Sequence, residues 1–154
     1  MTDETFPKTQ TILVAEDDAD DAFLLQRAFG KLGITTSLKF VHDGQEAIDY
    51  LQGDGQFADR SFHPLPDLLL LDIKMPRLNG FQVLGWVRKQ KTLRRLPVVI
   101  FSSSGEPADI DRAYDLGANS YLIKPHSSDD LLAVAQNLKQ YWVDTSQIPE
   151  SFAE

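Results

Sequence analysis

A single α/β domain, built on a parallel five-stranded sheet with helices on both faces, is the fold class that this sequence predicts. Three observations predict it. Short, apolar, β-rich runs alternate with helical patterns five times along the chain. The clearest runs are apolar throughout, without polar alternation, as expected of strands covered on both faces. The 154 residues suffice for one ordinary domain with a sizeable core, and are too few for a second of similar size.

The strands are read at Thr11–Ala15 (TILVA), Leu38–Val41 (LKFV), Leu68–Leu71 (LLLL), Val98–Phe101 (VVIF) and Tyr121–Ile123 (YLI). The second is the weakest, because Lys39 interrupts it. A helix is expected over Asp20–Leu32, with Leu25, Ala28, Phe29 and Leu32 on one face, a cap at Asp18 and Asp21, and a stop at Gly33. Asp43–Tyr50 is a shorter helical candidate. Asn79 with Gln82 opens a third helix carrying Phe81, Leu84 and Val87. Pro107 suits the first turn of a fourth, with Ile110, Ala113 and Tyr114 inward and Gly117 as the stop. Ser127 with Asp130 opens a fifth, where Leu131, Val134, Ala135, Leu138, Tyr141 and Trp142 form a wide apolar stripe. Right-handed crossovers then give a doubly wound sheet, for which the flavodoxin-like order 2-1-3-4-5 is predicted. Gly53–Pro66 is a long irregular connection, residues 1–9 and 144–154 read as tails, and residues 10–143 as the domain.

Composition excludes several function classes. The formal charge of -8 opposes non-specific attraction to nucleic acid or anionic lipid. The absence of cysteine removes disulfides, thiolate nucleophiles and cysteine-ligated zinc. No apolar run approaches membrane-spanning length and the N-terminus lacks a secretory pattern, so a cytoplasmic protein is expected. The three histidines are scattered without metal-ligand spacing.

The chemistry lies just past the strands. Glu16-Asp17 follows the first, Asp72 the third, Ser102 the fourth and Lys124-Pro125 the fifth. In an open parallel sheet these C-terminal ends share one edge, where such folds bind ligands. Two carboxylates about 4 Å apart repel by roughly 4 kcal/mol at an effective dielectric near 20, so the cluster needs positive charge. Lys124 supplies one charge and Mg2+, an oxygen-seeking ion, would supply the rest. A carboxylate can attack phosphorus, and in-line transfer then needs mainly positioning and charge neutralisation. Asp72 is the best nucleophile candidate, because it ends the most apolar run. For any one of these acids a helix cap or a solvated loop charge is the simpler account; the whole ordered set favours a site.

The segments ILVAEDD, LLLLDIKMPRLNG, VVIFSSSG and GANSYLIKP resemble, in order and spacing, the receiver domain of two-component response regulators over about residues 10–142. The resemblance implies that Asp72 accepts a phosphoryl group and that Asp17 binds Mg2+ directly, with Mn2+ or Ca2+ as substitutes. Glu16 would act largely through metal-bound water, and the backbone carbonyl of Lys74 would complete the protein ligands. Ser102 stands where the family has a phosphoryl-binding Thr or Ser, Lys124 is the family lysine, Tyr121 the switch aromatic, and the Lys124-Pro125 bond is cis in relatives. Lys74 and Ser104 stand where members differ in phosphate lifetime, and a Lys74 side chain crowding the hydrolytic water would slow phosphoryl loss. The short extension after the last helix resembles stand-alone members, and the AYDLGANSYLIKP block and the YWVDTSQIP ending resemble partners of phytochrome-type histidine kinases. Tyr141 and Trp142 extend the apolar stripe and suggest a homodimer through the face of the fourth helix, fifth strand and fifth helix; the alternative is a tail folded over those rings. The downstream protein is unknown.

Three rival readings are weaker. A phosphatase of the haloacid dehalogenase type would need an acid two residues after the nucleophile, where Lys74 stands. The GDGQFA string at 53–58 matches a dinucleotide-binding pattern but follows a helix instead of a strand. A pseudo-receiver that works without phosphorylation is opposed by the intact Asp17, Asp72, Ser102 and Lys124.

Overall fold

The computed structural model describes residues 10–33 and 37–152. The predicted tail at residues 1–9 lies outside them. The strands are β1 Thr11–Ala15, β2 Ser37–Val41, β3 Leu68–Leu71, β4 Val98–Ser102 and β5 Ser120–Ile123. The helices are α1 Ala19–Lys31, α2 Gly44–Gln52, α3 Gly80–Lys89, α4 Pro107–Asp115 and α5 Ser128–Leu138. All neighbouring strands pair in parallel, in the predicted order β2-β1-β3-β4-β5. None of the described helices is long and apolar enough to cross a membrane.

Strand alternation makes two cores. Leu13, Ala15, Leu69, Leu71, Val98 and Ile100 face α2, α3 and α4; Ile12, Val14, Leu68, Leu70, Val99 and Phe101 face α1 and α5. The central strands β1, β3 and β4 are buried at every residue, which is why their sequences are uniformly apolar. The outer strands β2 and β5 are half-buried over most of their length, and Lys39 sits where an edge tolerates charge.

Side-chain caps start α1, α2, α3 and α5, while α4 begins at Pro107 without one. Asp18 accepts from the amides of Asp20 and Asp21 at 2.9 and 3.0 Å, and Asn79 and Gln82 form a reciprocal capping box. Asp43 caps α2 and Ser127 caps α5. Gly33 and Gly117 take positive φ just past α1 and α4, a conformation in which other residues are strained.

Three features depart from expectation. In α4 only Ala113 is fully buried, while Tyr114 is 48 % exposed. Helical spacing identifies one face but not the width of surface that its neighbour covers. The 53–66 connection is anchored: it contains one 3-10 turn at Gly55–Phe57. Arg60 there donates to the carbonyls of Tyr50, Leu51 and His63 at 2.8, 2.9 and 3.1 Å, capping the end of α2. Finally, α5 runs on into a π-helical turn, Lys139–Thr145, and Phe152 packs against the core beneath α2–α4. Its carbonyl accepts from Arg95 N at 3.3 Å. The tail is thus held at that point.

Candidate functional site

Sheet register builds the site. β1 and β3 pair at Ala15 and Leu71, so the next residue of each, Glu16 and Asp72, emerges beside the other. Asp72 N donates to Ala15 O at 3.1 Å and Glu16 N to Val41 O at 3.0 Å, carrying the ladders past the strands. On the other side β4 and β5 pair at Ser102 and Ile123. Lys124 N then donates to Ser102 O at 2.8 Å, which fixes Lys124 beside the central edge.

Glu16, Asp17 and Asp72 offer carboxylate oxygens that all lie within 4.8 Å of one another. Glu16 and Asp72 are 4 % and 7 % exposed, whereas Asp17 is open to solvent. The Lys124 ammonium contacts Glu16 Oε1 and bonds Asp72 Oδ2 at 2.9 Å and Asp21 Oδ2 at 3.0 Å. The second oxygens of the two buried acids are also held: Glu16 Oε2 accepts from Asp18 N at 3.1 Å and Asp72 Oδ1 from Ile73 N at 2.7 Å.

Burial raises the Glu16 carboxyl to about 7; the Lys124 hydrogen bond opposes that rise and the Asp72 charge adds to it. Burial disfavours the Lys124 charge, but its bonds to Glu16 and Asp72 outweigh this and hold its pKa above the usual lysine range. Three hard oxygen donors against one ammonium leave an excess of negative charge, and a divalent ion such as Mg2+ or Mn2+ fits that donor set.

The other predicted residues are distributed around this edge. Ser102 is 1 % exposed and its hydroxyl accepts from Ser104 N at 3.2 Å. Ser104 Oγ donates to Asp109 Oδ2, on the first turn of α4, at 2.5 Å. The Tyr121 hydroxyl turns inward and donates to Ser104 O at 2.7 Å. Lys74 is exposed and lines, with Asp17, Met75, Phe81 and Arg112, an open cleft of about 570 Å3. Tyr141 and Trp142 lie elsewhere, at the far end of α5. Their rings pack edge to face at 5.0 Å beside a cavity of about 190 Å3 that also touches Ser120 and Leu122. Tyr141 is 55 % exposed, so the tail does not cover it.

There is no cis peptide bond among the described residues, so the expectation of one at Lys124-Pro125 is not met; X–Pro bonds favour trans by under about 1 kcal/mol, and either form is accessible. Two acids escaped sequence reasoning. Spacing marks Asp21 only as part of the α1 cap and gives Asp109 no signal, because their partners are fixed by tertiary packing.

The family model of the response regulator receiver domain matches residues 12–136. A curated relative, named as the probable methanogenesis regulatory protein FilR2 of Methanothrix harundinacea, is 38 % identical over 90 % of this chain and 86 % of its own. The response regulator Rcp1 of Synechocystis sp. is 32 % identical over 97 % of this chain and 99 % of its own. A crystal structure of the Mn2+-bound form of response regulator Rcp1 covers 91 % of this chain and 99 % of its own with a TM-score of 0.81 at 31 % identity. The phosphorylated cyanobacterial phytochrome response regulator RcpA covers 92 % and 99 %, with a TM-score of 0.85 at 32 % identity.

Proposed function

This chain belongs to the response regulator receiver family, and on that premise we propose that it accepts a phosphoryl group on Asp72 from a histidine kinase in a Mg2+-dependent reaction. One observation carries the reading. Asp72, at the sheet edge, has the Lys124 ammonium at 2.9 Å and Glu16 and Asp17 within 4.8 Å. An Asp72 oxygen attacks the phosphorus of a phosphohistidine; the new O–P bond forms as the P–N bond breaks, and the imidazole nitrogen keeps that electron pair. Lys124 neutralises charge on the transferred group and the Ser102 hydroxyl turns to donate to it.

Glu16, Asp17, Asp72 and the Lys74 backbone carbonyl would hold Mg2+, or Mn2+ or Ca2+ in its place, and the ion would neutralise phosphoryl oxygens. The likeness to RcpA, a phytochrome response regulator by its title, favours a phytochrome-type kinase as partner. The same fold and acid cluster favour a cytoplasmic signalling protein without turnover of a separate substrate.

Signalling then passes from Ser102 to the α4-β5-α5 face. Phosphorylation adds charge at the edge, Ser102 moves to meet it, and the Ser104 contacts to Tyr121 and Asp109 rearrange. The exposed Tyr141 and the apolar cavity beside Trp142 suit a homodimer through that face.

The test is intact mass after incubation with phosphoramidate and Mg2+, with size-exclusion chromatography of the same samples. One added phosphoryl group, absent without Mg2+ and absent from Asp72→Asn, is the expected result. Uptake that persists in Asp72→Asn would remove Asp72 from its role.

A further inference from the structure

The Lys124 ammonium has three N–H donors, and three different carboxylates surround it: Glu16, Asp21 and Asp72. Asp21 is the unexpected member. It lies on the first turn of α1, 103 residues from Lys124, and is no part of the acid cluster suited to a metal. The Asp18 cap fixes that turn by accepting from the amides of Asp20 and Asp21. Neighbouring helical side chains diverge by about 100°, so Asp21 reaches the sheet edge while Asp20 is exposed.

The three partners are not equivalent. The side chains of Glu16 and Asp72 are 5 % and 8 % exposed, that of Asp21 43 %. A phosphoryl group on Asp72 brings three strong acceptor oxygens, and an ammonium with every donor engaged must release a partner to bond one. Glu16 and Asp72 are buried and each is held from its other oxygen, by the Asp18 and Ile73 amides, so both stay beside Lys124. Releasing Asp21 returns a half-exposed carboxylate to water at little cost.

Resting on the acceptor reading above, we propose that Asp21 is a positioning residue that competes with the phosphoryl group for the Lys124 ammonium. It holds one N–H in the unmodified protein and gives it up on phosphorylation. Asp21 therefore opposes loading of Asp72 and favours return to the unmodified state.

The test compares wild type, Asp21→Asn, Asp21→Glu and Asp20→Asn, all with saturating Mg2+. Phosphorylation is followed against phosphoramidate concentration: an Asp72 O–P bond forms, the donor P–N bond breaks, and nitrogen departs with the electron pair as ammonia. Beryllofluoride, a phosphoryl analogue, is titrated by calorimetry. Asp21→Asn is expected to lower the donor KM and tighten beryllofluoride binding by roughly three- to tenfold, the scale of one partly screened charge. The maximal rate is expected to stay the same. Asp21→Glu restores wild-type values, and Asp20→Asn keeps them, because Asp20 shares the helix end without touching Lys124. An Asp21→Asn protein no better than wild type in either assay overturns the proposal, as does an equal gain in Asp20→Asn, which would mark a general helix-end charge effect. Wild type that takes up no phosphoryl group at all would instead overturn the acceptor reading, and this proposal with it.

Discussion

The Tyr121 hydroxyl donates to the Ser104 carbonyl oxygen at 2.7 Å, tying the β4–α4 connection to the edge strand β5. The same serine binds Ser102 through its amide and Asp109 through its hydroxyl. Tyr121→Phe keeps the ring and removes one bond, whose net worth is about 1 kcal/mol. Hydrogen exchange at the amides of residues 103–106 is expected to quicken by about fivefold, with phosphoryl uptake by Asp72 retained. Unchanged exchange would mean that Tyr121 does not hold this connection.

Close backbone approach sets a second prediction. Gly80 N donates to Ile73 O at 2.8 Å, and a Cβ on Gly80 would lie 2.2 Å from the Asp72 carbonyl oxygen. Gly80→Ala must push α3 away from the segment that carries Asp72, at a cost of about 1–3 kcal/mol. Gly85, on the same helix, has only Leu116 Cδ2 at 3.9 Å, so Gly85→Ala should gain up to about 1 kcal/mol from helix propensity. Urea unfolding of the two variants checks both signs, and a stable Gly80→Ala protein would contradict the contact.

The acid and lysine cluster was legible because Glu16, Asp72 and Lys124 each follow an apolar run, and parallel strands bring such positions to one edge whatever separates them in sequence. The caps at Asp18 and Asn79 were legible for a similar reason: they bond within one helical turn. What sequence could not supply was contact between elements. Asp21 meets Lys124 only because α1 packs beside β1 and close to the end of β5. Tyr114 stays exposed although it shares the periodic face of α4, because Ala113 is the residue of that helix that the sheet side covers fully. The docking of Phe152 beneath the core is likewise a meeting of distant segments, and no local pattern in a polar tail announces it.

Alkaline pH should act through Tyr50. Its phenol is 1 % exposed and donates to Pro64 O at 2.9 Å, and burial raises its pKa from 10.0 to about 12. Below pH 10 the phenol is protonated in folded and unfolded chains alike. Between about 10 and 12 the unfolded chain loses the proton first, so the folded state binds more protons and stability falls as pH rises. Tyr50→Phe is expected to flatten that part of the stability curve, while losing about 1 kcal/mol at neutral pH with the bond to Pro64. Urea midpoints measured from pH 8 to 11 for both proteins decide it; equal slopes would exclude Tyr50 as the source.

In the function proposed above, Lys74 is expected to set the lifetime of the modified state. It is two residues past Asp72, is exposed, and borders the open cleft that also meets Asp17 and the Arg112 guanidinium, itself stacked 4.3 Å over the Phe81 ring. Hydrolysis of an aspartyl phosphate needs a water on the side of phosphorus opposite the Asp72 oxygen, and an ammonium on a long flexible stem at this cleft is expected to compete for the space that water needs. An ammonium has no acceptor with which to draw a proton from the water, so it cannot assist the attack in return. Lys74→Asn supplies a shorter side chain with both a donor and an acceptor, able to align the water. Loss of the phosphoryl group should then quicken by about tenfold, the equivalent of about 1.4 kcal/mol in the barrier. The decay of phosphorylated protein after donor removal, followed by intact mass, gives the rate directly; no change in Lys74→Asn would mean that the hydrolytic water is controlled from elsewhere in the cleft.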